Sequence, residues 1–413
     1  MSKKIALFSG GRGNKNLLHS FISDLDQKNI ELSVIVNGLD DGASTGKIRY
    51  LFSKETHGIS DFLKVILSLS PNNEIVKLFE RRFPKTGSEK EKRILHEKIE
   101  RFLDNEKLFI LEDDYQIDKN SEDLIRSSIL DLINHFNQSE KKDIDFSDFK
   151  IGNVVFASQI IKNNFNFKLA IFDFSQLVDV NPENSKIIES SKIPAYLCGI
   201  LKQGIFLPNE ASIVLSRTTD FIEDIFQINK SLTAEEIREI CSLEKNEKIS
   251  YLNSIQKLED LSNEAKDAID SADCIIYGAG TPFSSLLPSL SLIGAAETIS
   301  KKNSPKILVA NLKKETQNFF SANQLIRDLL KHTLKNSNSA NIDPKNIITH
   351  LIVSNQKVSE EDRDYSIDYC KSELESEFPW ISVIERDLTH PQKQFQHDGN
   401  KLKKCILEIL DSE

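Results

Sequence analysis

Two adjacent carboxylates, Asp40 and Asp41, stand just past an apolar run, Leu32 to Val36, with Gly38, Gly42 and Gly46 spaced four residues apart around them. Asn37 comes before the pair; Ser44, Thr45, Lys47 and Arg49 come after. An apolar run that stops abruptly at Asn-Gly predicts a buried strand leaving its sheet. The short glycine-rich segment beyond it can wrap a ligand closely. Paired acids at such an exit suit two tasks: holding a divalent cation, or orienting and deprotonating a substrate hydroxyl. The plainer alternative is that one Asp caps the turn and only the other meets ligand.

Glycine is otherwise scarce. Of 15 in the chain, eight fall in three windows: the one just described, Gly10/Gly11/Gly13 and Gly278/Gly280. The second and third windows each follow an apolar run, Ile5 to Phe8 and Cys274 to Tyr277. Each precedes residues at helical spacing: Leu17, Leu18, Phe21, Ile22 and Leu25 after the first, Leu286, Leu287, Leu290 and Ile293 after the other. Strand, glycine turn and helix outline a mononucleotide-binding unit, in which backbone N–H groups at a helix N-terminus meet an anion. The candidate phosphate-binding residues are Gly10, Gly11, Gly13 and Asn14; Asn37, Ser44 and Thr45; Gly278, Gly280, Thr281 and Ser284; and Asn311, which ends the strand Ile307 to Ala310. Asn16 takes the place of the third glycine of G-x-G-x-x-G, so the first loop by itself is equally a tight turn. Ser9, Ser44 and Ser284 have no histidine partner in the sequence and read as hydrogen-bond donors, not nucleophiles. His332, His350 and His397 lack metal-ligand spacing and read as packed or exposed imidazoles.

These loops need a sheet to hold them. Further apolar runs at 350–355 and 381–384 alternate with helical patterns, which predicts an α/β, Rossmann-like, mainly parallel sheet with helices on both faces. In such a sheet, ligand sits beyond the carboxyl ends of the strands, where strand order reverses. Phe62 to Leu69 reads as a helix, with Asp61 either a first-turn acid serving the dipole, the reading its spacing favours, or a ligand-facing carboxylate. Residues 193–214 read as short strands. Residues 231–272 read as helical, with Thr233 as a cap. Trp380 reads as core. Residues 81–150 hold 14 Lys/Arg and 17 Asp/Glu, a near balance that predicts solvated helix faces and not a nucleic-acid patch. The expectation is one domain over 1–413 with a charged helical insertion at 84–146.

The 413 residues, 39% hydrophobic, contain no run near the ~18–20 apolar residues of a membrane span. The first apolar segment is too short for a signal peptide, so a cytoplasmic location is expected. A net charge of −10 opposes general binding to nucleic acid or anionic membrane, but allows a phosphorylated ligand in a local pocket. Cys198, Cys241, Cys274, Cys370 and Cys405 are scattered, which suggests neither a zinc site nor a disulfide framework; most read as buried thiols.

The segments Gly10-Gly11-Arg12-Gly13-Asn14, Val36 to Arg49, and Tyr277 to Pro288, with Asn311 at its strand end, together resemble the CofD-like superfamily. That superfamily holds the 2-phospho-L-lactate transferases and the YvcK-type gluconeogenesis factors. The specific block is Asp-Asp-Gly-x-Ser-x-Gly-Lys-x-Arg, and its glycines and hydroxyls lean toward the YvcK-like branch. Two places depart from that branch. Gly58-Ile59-Ser60-Asp61-Phe62 stands for its Gly-Asp-Ile-Arg-Asn, and Asp148 to Asn153 lacks its histidine. The resemblance implies a transferase that moves a phosphate-linked group from a nucleoside-diphosphate-linked small molecule to a hydroxyl, with Asp40 or Asp41 holding Mg²⁺. The alternative that it implies is a non-catalytic UDP-sugar-binding regulator. It implies no nucleic-acid or membrane partner and allows a homodimer. A dinucleotide-dependent oxidoreductase ranks last, because it would need a single acid at the second strand end and a more regular glycine fingerprint.

Overall fold

The computed structural model describes residues 2–52, 56–109, 117–137, 144–216, 221–314, 321–339, 341–355, 366–367 and 369–412. The chain opens with strand β1 (Lys3–Phe8), helix α1 (Lys15–Asp26) and strand β2 (Ile30–Val36). Six helices follow: α2 (Ala43–Leu51), α3 (Ile59–Leu69), α4 (Asn73–Glu80), α5 (Glu89–Leu103), α6 (Lys119–Asn137) and α7 (Ile151–Lys162). Next come helix α8 (Phe167–Leu177), strands β3 (Ser185–Glu189), β4 (Tyr196–Leu201) and β5 (Phe206–Leu207), the short helix α9 (Glu210–Leu215) and strand β6 (Ile222–Ile228). The remaining strands are β7 (Cys274–Tyr277), β8 (Lys306–Val309), β9 (His350–Ser354), β10 (Ser382–Arg386), β11 (Thr389–His390) and β12 (Lys393–His397). A helix, Gly399–Ser412, follows the last strand.

Seven strands form one sheet in the order β10-β9-β8-β7-β1-β2-β3, every neighbour parallel. From β1 the order runs one way to β2 and β3, and the other way from β7 to β10. The reversal therefore lies between β1 and β7. Alternate side chains feed two cores. Ile5, Leu7, Val34, Val36 and Ile276 join one, while Ala6, Phe8, Ile35, Ile275 and Tyr277 join the other. Burial on both faces is why the strands read as unbroken apolar runs. Phe8 lies opposite both Ile35 and Tyr277, and Tyr277 opposite Leu308, so four strands end level and present their exit loops at one edge.

The charged stretch forms α5 and α6, with residues 110–116 and 138–143 outside the described set. Ser88 and Glu91 cap α5 reciprocally, and Leu95, Ile99, Phe102, Ile129 and Leu132 reach the same core as α1, while the charges face solvent. The predicted Thr233 cap forms, with Glu236 returning the bond. Three expectations are corrected. Glu210–Leu215, at the end of the stretch read as short strands, is the helix α9, which Asn209 and Ser212 cap reciprocally. The segment after Gly280 is no continuous helix: a π-helical turn, Pro282–Leu286, leads into a four-residue α-turn, Leu287–Leu290, with Pro288 in its first turn. Trp380 is no core residue; it is 37% exposed, edge-on to Phe378. Cys198, Cys274 and Cys405 are buried, while Cys241 and Cys370 are exposed.

Candidate functional site: a basic cleft at the strand-order reversal

The exit loops of β1 and β7 interlock. A Cβ on Gly13 would lie 2.2 Å from the Ala279 carbonyl oxygen, and one on Gly10 would lie 2.9 Å from Ser285 Cβ. Only glycine allows this approach. Asn37 ties the β2 exit to the same place, donating to the carbonyls of Ser284 (3.1 Å) and Ser285 (2.8 Å). Asn14 donates to Ser9 Oγ (2.9 Å) and fills the space a Cβ on Gly278 would need. Asn311 and Gly280 clamp each other, the Asn311 amide donating at 2.9 Å and the Gly280 N–H returning the bond at 3.0 Å. Ser44 accepts from Asn153 (2.7 Å), and Thr45 pairs with Ser60.

The residues chosen from sequence thus divide. Gly10, Asn14, Asn37, Ser44, Thr45, Gly278 and Ser284 are buried and hold the loops in place. Gly11, Gly13, Gly280, Thr281 and Asn311 stay partly or fully open, and all but Gly11 line one cleft of about 590 Å³. The cleft is basic in an acidic protein. Among the described residues Arg12, Lys15, Lys64, Lys313, Lys314 and Lys393 line it, against a single carboxylate, Glu80, which Lys150 (3.1 Å) and Arg12 (3.5 Å) already pair.

Lys64 joins this cleft to a nest of acids. Its ammonium donates to Asp61 Oδ1 at 2.8 Å, and a Cβ on Gly11 would lie 3.7 Å from that oxygen. Burial lowers the Lys64 pKa, but Asp61, Asp40 and Glu210 outweigh it and hold the ammonium charged. Burial, then the charge of Asp61, raises the Asp40 carboxyl, against the pull of Lys64 and bonds from Thr45 and Gly42. Burial pushes Glu210, on α9, up to about 9, with Asp40, Asp61 and Asp41 adding to the rise. Asp41 turns elsewhere. Its carboxylate accepts the Ala211 N–H (3.3 Å) and faces Arg49, and burial lifts it to about 6. Arg49 is buried under the Tyr196 ring, 3.8 Å from its centre, and donates to the Ala195 carbonyl at 2.7 Å.

Hard carboxylate oxygens short of positive charge are the right donors for a divalent cation. Among the described residues no three His, Cys, Asp or Glu side chains gather at ligating distance. Mg²⁺ does not need that, since it commonly takes one or two carboxylates and completes its shell with substrate phosphates and water. Asp40 and Asp61, one side chain away from a phosphate-sized basic cleft, fit that mode.

Sequence reasoning left Asp61 two roles, first-turn helix acid or ligand-facing carboxylate, and ranked the first ahead. It does open α3 as a first-turn acid, but it also faces the site. Lys64, one turn on, could have been found from that spacing. Glu210 and Lys393 carried no local signal, because only the tertiary fold brings them in, and His397, read in sequence as a packed or exposed imidazole, is buried and lines the cleft.

Comparison with solved structures agrees with this architecture. Protein BH3568 from Bacillus halodurans superposes with a TM-score of 0.66 at 17% identity, over 98% of this chain and 100% of that one. A second crystal structure of BH3568, described as a member of the UPF0052 family, gives a TM-score of 0.66 at 17% identity over 98% and 99%. At that identity the likeness shows the fold. No curated protein matches the chain. The match that reaches further is to the family described as 2-phospho-L-lactate transferase CofD, which spans residues 5–389 and so includes the reversal point, its three glycine loops and the acids beneath them; the chain belongs to the CofD family.

Proposed function

We propose that the chain is a transferase acting on a nucleoside-diphosphate-linked small molecule. The observation that carries this reading is a six-cation cleft, at the strand-order reversal of a net-acidic protein, that ends on buried carboxylates. The cations would neutralise the diphosphate, and the rigid loops would fix its orientation. The acceptor's hydroxyl oxygen would attack the phosphorus that bears the carried group. The bond to the bridging oxygen would break, nucleoside monophosphate would leave, and the hydroxyl proton would pass to a carboxylate. Asp40 suits that last role, because its raised pKa makes it a better proton acceptor at neutral pH. Alternatively Asp40 would join Asp61 in holding a divalent ion, which when bound supplies further neutralisation of the reacting phosphate and leaving group and leaves the proton to another carboxylate.

A regulator that binds a UDP-sugar without turnover is the second reading. It draws on Asp41, whose bonds to Ala211 and position beside Arg49 give it a structural task in place of a ligand-facing one. A thermal-shift panel of UDP-sugars, GDP and GTP, with and without Mg²⁺ and followed by analysis for released nucleoside monophosphate, separates the two. Metal-dependent stabilisation with product formed from a hydroxyl acceptor supports the transferase. UDP-sugar stabilisation without product supports the regulator. No response to any nucleotide overturns both.

A further inference from the structure

The hairpin β11–β12 stands outside the main sheet and begins where the family match ends, at residue 389, yet it brings Lys393, Phe395 and His397 to the cleft wall. It is firmly moored. The Asn16 amide donates to the His397 carbonyl at 2.7 Å, and a Cβ on Gly399 would lie 1.9 Å from the Asn16 carbonyl oxygen. Asp398 caps the helix that follows, accepting from the N–H groups of Asn400 (3.0 Å) and Lys401 (3.1 Å). The hairpin is therefore fixed against the first turn of α1, the same turn that borders the basic part of the cleft.

Two of its side chains differ from the cations around them. Phe395 is half-buried, and its ring centre lies 5.5 Å from Lys313 Nζ. A flat aromatic face on the wall of a charged cleft has no electrostatic use for phosphate, but is the surface a planar base stacks on. His397 is buried yet lines the cleft. Its ring hydrogen-bonds the Ala310 carbonyl at the end of β8, and Nε2 has no hydrogen-bond partner among the described residues. Burial keeps the imidazole neutral, with its pKa down to about 4. A neutral ring that donates through one nitrogen carries a lone pair on the other. Nε2 therefore accepts, and its fitting partner is an O–H or N–H, not a phosphate oxygen.

We propose that hairpin β11–β12 is the nucleoside-recognising wall of the cleft: the base lies on Phe395, and His397 Nε2 accepts a hydrogen bond from the base or the sugar while the cations take the diphosphate. This rests on the nucleotide reading above. It adds that selection among nucleotides is made by a hairpin that stands outside the main sheet.

Calorimetric titration of pyrophosphate, GDP, UDP and ADP into the whole protein and into Phe395→Ala, His397→Leu and His397→Gln tests it. The parent should bind at least one nucleoside diphosphate more tightly than pyrophosphate. Phe395→Ala and His397→Leu should each lose roughly tenfold of that affinity and leave pyrophosphate unchanged. His397→Gln should recover part of the loss, since its amide oxygen restores an acceptor. Thermal unfolding checks that each variant is folded, and Phe395→Ala decides the matter should the variants at the buried position not fold. Equal losses for pyrophosphate and nucleotide, or none for either, overturn the hairpin's role and leave the transferase reading standing. A parent that binds neither ligand overturns both.

Discussion

At the scale of single residues, Asp40, Asp61 and Glu210 are three acids held together with one ammonium, Lys64, among them. Such a cluster stores repulsion that function can use and stability must offset. Asp40→Asn should therefore stabilise the ligand-free protein, by about 0.5–2 kcal/mol, while abolishing the Mg²⁺-dependent part of nucleotide stabilisation. Chemical denaturation gives the first quantity and thermal shift the second; a variant that is less stable and still responds to Mg²⁺ would contradict the assignment. The same cluster sets a pH trend. Glu210 keeps its proton from an ordinary 4.5 up to about 9, and Asp41 from 3.8 up to about 6. Across those intervals the folded chain binds more protons than the unfolded chain, so stability falls as pH rises. Urea midpoints measured from pH 5 to 9 should decline, and Glu210→Gln should flatten the decline above pH 6. A midpoint that climbs over this range would refute the burial of these carboxyls.

At the scale of elements, the site depends on backbones touching where a methyl would not fit. A Cβ on Gly58, the residue before α3, would lie 2.0 Å from the Asp40 carbonyl oxygen, whereas one on Gly87 has only a flexible Glu91 oxygen at 3.6 Å. Gly58→Ala should cost about 1–3 kcal/mol and weaken nucleotide binding by displacing Asp40. Gly87→Ala should stay within about 0.5 kcal/mol and bind normally. Equal effects would show that the close approach is not what matters. This is also the scale at which the sequence was most readable. Buried parallel strands write continuous apolar runs, and their exits write glycine, so Phe8-to-Gly13, Val36-to-Gly46 and Tyr277-to-Gly280 could all be located. The tasks inside those windows were less readable. Asn14, Asn37 and Asn311 look like ligand donors in sequence, but their amides close the loops on one another, because buried loop carbonyls need partners. Glu210 and the β11–β12 hairpin were invisible, since no periodicity or spacing records which distant segment will be folded over a strand end.

At the scale of the whole molecule, charge is divided unevenly. The chain carries a net −10, yet among the described residues the cleft gathers six cations around one carboxylate. Long-range repulsion and local attraction then compete for an incoming anion, and salt shifts the balance, because screening length falls from about 10 Å at 0.1 M to about 3 Å at 1 M. Pyrophosphate affinity should drop at least about tenfold over that range; affinity indifferent to salt would mean that the cations do not face the ligand.

The strand order carries one last consequence, for the route by which the molecule forms. β1 takes one partner, β2, from nearby and the other, β7, only after a long excursion, and the cleft then waits for β12. A ligand that needs all these pieces has nothing to grip in a half-folded chain. Nucleotide should thus leave the refolding rate untouched and act wholly by retarding escape from the native state.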